Sequence, residues 1–130
     1  MSNLVVSNIS DGTTSVGTGY VVNGAAKAWV NFDGQGTAAI NDSMNISALI
    51  DYGTGVFGVN FTNSMSSGVY AMSGLCGDVA YQGHLHSYDT GSFRTASSAG
   101  MYTLYAADLG GGGAGLDYST NDVVIHGDLA

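Results

Sequence analysis

Short runs in which apolar and polar residues alternate recur at intervals of about ten residues, separated by Gly, Asn, Asp and Ser. A period of two places alternate side chains on opposite faces of a strand, so this rhythm predicts an all-β chain folded as an antiparallel β-sandwich, jelly-roll-like in outline. The clearest run is 27–33. Ala28, Val30 and Phe32 share one face, Lys27, Trp29, Asn31 and Asp33 the other, and Asp33-Gly34 supplies a turn dipeptide. Residues 44–51 alternate in the same way, and the turn Tyr52-Gly53-Thr54-Gly55 leads into 56–61, whose expected core face is Phe57, Val59 and Phe61. These two runs form a predicted hairpin. Further strands are expected over 69–76, 78–85, 101–107 and 123–126, and weaker ones over 4–9 and 17–22.

Two small-residue stretches, 96–100 and 110–115, read as flexible loops within one domain, because no complete domain fits on either side of them. The chain of 130 residues is therefore expected to form a single domain over 1–130, with residues 1–25 serving as an attachment arm or as first strands. No internal repeat and no convincing amphipathic helix is visible.

Composition sharpens this picture. There are 21 Gly and 8 Tyr, no Pro and no Glu, and Lys27 and Arg94 are the two fixed cations, so strand and turn formers dominate over helix formers. The net charge of -8 comes from ten Asp set beside Gly, Ser, Thr and Asn, where a carboxylate can cap a tight turn. Phosphate binding needs clustered Lys or Arg, so neither nucleic acid nor an anionic membrane is an expected partner. The apolar content is too high for a disordered chain. The scarcity of Lys and Glu suggests a surface that contacts neighbouring subunits.

Cys76 is alone, so neither an intrachain disulfide nor a cysteine zinc site is expected, and it reads as a small apolar residue. The opening MSNLVVSNIS has no basic segment, and no run approaches the roughly 18 apolar residues of a membrane helix. A soluble protein made in a cytoplasm is the expectation.

Several constellations bear on chemistry. His84-Leu85-His86 places two imidazoles on one side of a predicted strand, and three such pairs around a threefold axis would offer six nitrogen ligands to a transition metal. The competing reading is a solvent-facing or packed pair. His126, in VVIH, reads as a polar edge-strand residue. No Gly-x-Ser-x-Gly elbow supports a serine hydrolase, and without Glu only Asp pairs remain for polysaccharide cleavage, so no enzyme, catalytic residue or cofactor is expected. Asp117 and Asp122 offer carboxylates of the kind calcium takes, but their spacing is not that of an EF-hand and turn capping explains them better. The glycine run at 110–115 lacks the Lys-Ser or Lys-Thr of a phosphate loop. Trp29 lies on the polar face of its strand, which marks it as an interface candidate. Tyr81, Tyr88, Tyr102 and Tyr105 offer stacking surfaces for sugars or, more commonly, fill sheets and interfaces.

ISDGTTS at 9–15, VNGAAKAWVNF at 22–32, GQGT at 34–37, INDSMNIS at 40–47 and DYGTGVFGVNFT at 51–62 together resemble a module of tail-fibre and other virion proteins of marine and related bacteriophages. After residue 62 the family continues with a proline-containing turn, whereas this chain reads NSMSSG at 63–68 and departs further beyond. The resemblance implies a virion component, commonly a homotrimer, on a fibre, a tail appendage or the capsid surface, made in the host bacterial cytoplasm and in contact with other virion proteins. It implies no catalytic residues. His-x-His pairs bind iron in some phage needle and fibre tips, which is what the resemblance adds to His84 and His86. A single module without a fibre shaft shifts the expectation toward a capsid decoration or short appendage. The rival is a tip that binds a host-surface glycan through tyrosine-bearing loops.

Overall fold

A computed structural model describes residues 3–80, 82–87, 93–105 and 114–130. Wherever the period of two is strong, strands form with the expected faces. In β3 (Ala28–Asp33) the alternation is strict, with Ala28, Val30 and Phe32 buried and Trp29, Asn31 and Asp33 partly exposed. In β6 (Val56–Phe61) the inward residues are Phe57, Val59 and Phe61, as predicted. The rings of Phe32 and Phe57 meet edge to face at 5.1 Å. With Met101, Val123, Ile125, Ala99, Met65 and Tyr70 they fill one continuous core.

The chain is all-β and antiparallel. Ten strands are described. Eight of them form one hydrogen-bonded sheet in the order β4-β3-β10-β7-β8-β9-β6-β5, which nearly closes on itself. The remaining members are β4 (Ala39–Met44), β5 (Ile46–Gly53), β7 (Ala71–Gly77), β8 (Gln82–Ser87), β9 (Ser98–Tyr105) and β10 (Thr120–His126). Strands β7, β8 and β9 follow one another as a meander and β10 returns beside β7, which is a Greek key.

Several boundaries differ from the sequence reading. The single strand expected over 44–51 is two strands, because Asn45 takes a left-handed φ of 59° and turns the chain from β4 to β5. Those are the two edges of the sheet, so one residue carries the chain across its seam. The Asn45 amide holds the corner, donating to the Lys27 carbonyl at 2.9 Å and the Asn63 carbonyl at 3.0 Å and accepting the Asn63 N–H at 2.7 Å. Residues 98–100, expected in a loop, belong to β9. There Gly100 pairs with Gly58, and the Tyr52 ring covers Gly58 so closely that a Cβ would meet it at 2.8 Å. The small residues of 98–100 lie in a strand paired with β6. Strand β8 starts later than expected, at Gln82, and among the described residues pairs with β7 at Cys76↔Gly83 and Gly77↔Gln82. Beyond that pairing Arg94 bridges the elements, donating to the Gly68 carbonyl at 3.1 Å and lying 4.6 Å over the Tyr70 ring.

At one end of the core Tyr118 is fully buried and donates to the Leu104 carbonyl at 3.2 Å. Its ring and the Cys76 sulfur occupy the space a side chain at Gly83 would need, with contacts of 2.5 and 2.6 Å. Buried Asn121 donates to the carbonyls of Phe32 and Tyr118, tying the backbone at Tyr118 to β3. The predicted turn between β5 and β6 is present. Gly55 has a φ of +72° and no room for a Cβ, which would lie 2.5 Å from the Thr103 carbonyl oxygen.

Residues 3–25 follow different rules. β1 (Asn8–Ser10) and β2 (Ser15–Gly17) form a two-stranded hairpin, and α1 (Thr18–Gly24) follows. The strand expected over 17–22 is thus a helix from Thr18 onward, and only the end of the 4–9 run is strand. The helix is set locally: the Thr18 N–H donates to the Ser7 carbonyl at 2.9 Å, and the Thr18 hydroxyl to the Val6 carbonyl at 2.9 Å. At its other end the Lys27 ammonium donates to the carbonyls of Val22 and Ala25, a cation placed where helix carbonyls point outward. None of residues 3–25 is buried.

Candidate functional site

His84 and His86 project from the same side of β8, both exposed, with ring centroids 6.4 Å apart. Their neighbours across β9 are Leu104 and Tyr102. Among the described residues no group of three or more His, Cys, Asp or Glu comes together as a metal site. Asp117 and Asp122 serve different partners. Asp117 accepts the Gly55 N–H at 2.7 Å, and Asp122 accepts from the Asn31 amide at 2.6 Å. Turn capping, which composition suggested, is the work of Asp11, Asp33, Asp51 and Asp78, each accepting a backbone N–H two residues ahead. The two N–H groups on Asp11, from Thr14 and Thr13, hold its carboxyl below the usual range. Burial pushes the Cys76 thiol up, which disfavours the reactive thiolate. Tyr81, Tyr88 and residues 110–113 lie outside the described residues.

Trp29 has a richer setting. On the outer face of the sheet Met44 of β4, Trp29 of β3, Val124 of β10 and Ser73 of β7 stand side by side in register. Leu75, two residues along β7 from Ser73, is 76% exposed, and Met44 is 41% exposed. The row carries no charge. Its neighbour one step along is polar and acidic: Asn31 bonds Asp122 there, and Asp42 stands opposite Asn31. His126 lies on the other side, opposite Ala71.

The arm supplies the second apolar surface, which the residue-by-residue reading missed. Leu4 is 84%, Val5 91% and Tyr20 80% exposed, and Val6, Ile9, Val16, Val21 and Val22 are also left in water. Leu4, Val5, Val6, Ile9, Val21 and Val22 line one groove between the hairpin and α1. The signal was present in the sequence as LVV and YVV runs within a stretch whose one charged residue is Asp11. Fully burying a side chain of this kind is worth about 1.5–3 kcal/mol, so eight of them exposed together make the arm a candidate interaction surface.

Fold and surface together define a class: a nearly closed antiparallel β-domain with a projecting apolar arm and an uncharged row of residues around Trp29. No protein-family model, curated protein or solved structure matches the chain.

Proposed function

We propose that this chain is a non-catalytic structural protein of a bacteriophage virion, an oligomeric module that decorates the capsid or forms part of an appendage. The observation that carries the reading is the arm, eight apolar side chains held out in water within 3–25, where no residue is buried, beside a sheet with a continuous buried core. A free monomer gains nothing from such a surface, whereas a subunit built to assemble does. The motifs from Ile9 to Thr62 supply the virion context. A homotrimer with a jelly-roll-like wrap is the assembly we propose, its partners being further copies and other virion proteins. The Greek-key order and the small size of the sheet support it, since open edges at β4 and β5 gain from being covered.

The test is cryo-electron microscopy of purified particles, with the chain identified in them by mass spectrometry. Density over contacts between capsid subunits is the expected result. Density at the distal end of an appendage, with saturable sugar-specific adhesion of the purified protein, would replace decoration by host recognition. Absence from the particles would end the virion reading.

A further inference from the structure

We infer that residues 3–25 are an exchange arm, and that the arm of one copy packs its apolar side chains onto the Met44-Trp29-Val124 row of a second copy of this chain. The inference rests on the oligomeric reading above and names the surfaces that carry it.

Each copy brings both halves of the contact, an apolar arm and an apolar row, so a symmetric exchange closes on itself without a third component. The arm cannot readily serve its own row. It joins β3 at Lys27, two residues before Trp29, and the Lys27 ammonium fixes the end of α1 through the Val22 and Ala25 carbonyls. That places Asn23 in a groove with Tyr70, His126 and Gly127, at the end of the sheet and not over its face.

Charge selects the same pair of surfaces. Two copies at -8 each repel wherever Asp faces Asp. Within 3–25 the one charged residue is Asp11, whose carboxylate is already engaged by the Thr13 and Thr14 N–H groups. The row of Met44, Trp29, Val124 and Ser73 is uncharged. An arm packed on this row stacks no carboxylate on another.

The full chain carries a built-in reporter, because Trp29 is its one tryptophan and lies within the receiving row. Sedimentation velocity and Trp29 emission would be followed through a dilution series for the wild type and for Val5→Asp/Tyr20→Asp. Both substituted side chains are at least 80% exposed, so the sheet does not depend on them, and a Val5→Ser/Tyr20→Ser pair separates loss of apolar surface from added charge. The expected result is a wild-type oligomer with blue-shifted emission that moves to the red on dissociation. Association should be weaker by about tenfold or more in the Asp pair and by less in the Ser pair. Unchanged association in both pairs overturns the inference, as does a wild type that stays monomeric up to about 1 mM. So does an oligomer whose Trp29 emission matches that of the monomer. Particle composition decides the virion reading separately, so either idea can fail while the other stands.

Discussion

Val, Ile, Leu and Tyr meet opposite fates in the two regions of this molecule. In the sheet Val30, Val59, Val123 and Ile125 are almost wholly removed from water, whereas in the arm Leu4, Val5, Tyr20 and Val22 stand well exposed. The difference lies in partners and not in residue type. A strand of the large sheet has hydrogen-bonded neighbours on its flanks and a core beneath it. The arm has one hairpin and two turns of helix, too little to build a core of its own. Apolar side chains in the first region hold the fold, and in the second they remain available to another molecule.

The comparison can be broken most forcefully in the core. Phe57→Ala removes a ring packed on Phe32 and should cost about 3–5 kcal/mol in urea denaturation, while Val5→Ala should shift the unfolding of the dissociated chain by less than about 0.5 kcal/mol. Similar costs at the two sites would show that the arm belongs to the folding unit of the sheet.

Next in size is the corner. Asn45→Ala removes the amide bonds to Lys27 and Asn63 and leaves a non-glycine residue at positive φ, for an expected loss of about 2–4 kcal/mol. Asn45→Gly should recover the backbone part and leave the hydrogen-bond part lost. Equal losses for the two variants would mean that left-handed strain contributes nothing there.

The junction between the regions is weaker. Lys27→Met takes away the cation at the end of α1, and faster amide hydrogen exchange confined to 18–25 should follow, by about 0.5–1 kcal/mol. Exchange spreading into β3 would show that the arm and the sheet open together. The smallest effect is a pH response of the hairpin turn. The folded state lowers the Asp11 pKa from 3.8, so its contribution is complete above that value and fades as pH falls through the lower folded value. NMR titration of the Thr13 and Thr14 amides would follow it, and Asp11→Asn should abolish the response.

Legibility in the sequence follows the same division. Strands β3 and β6 were readable because one face is buried and the other wet, which writes a period of two into Ala28-Trp29-Val30-Asn31-Phe32 and Phe57-Gly58-Val59-Asn60-Phe61. Strand β4 escaped notice because every residue of AINDSM except Ser43 is exposed, so no alternation is imposed on an edge. Asn45 looked like a polar strand position, since a left-handed φ leaves no trace in hydropathy. The helix at Thr18–Gly24 was hidden by Val21, Val22 and its two glycines, which favour other structures. It forms through hydrogen bonds from Thr18 to Val6 and Ser7, a contact across the hairpin that no local pattern announces. Of the surface now proposed to function, Trp29 was legible as an outward aromatic, but the row it shares with Met44 and Val124 depends on strand register.

The place of β10 has a consequence for the order of folding. This strand lies between β3 and β7, pairing Val123 with Val30 on one flank and with Gly74 on the other. Before 120–126 is in position, β3 with β4 and the group β7-β8-β9-β6-β5 are joined at the Asn45 corner alone, and each keeps a raw edge and an incomplete core. Joining them closes long loops on both flanks in one event, so the rate-limiting step should be slow and should depend on this one strand. Strand β10 is the zip of the domain, and it also supplies Val124 to the outer row. The outer row that the proposed arm exchange would use is therefore complete only once the domain itself is finished.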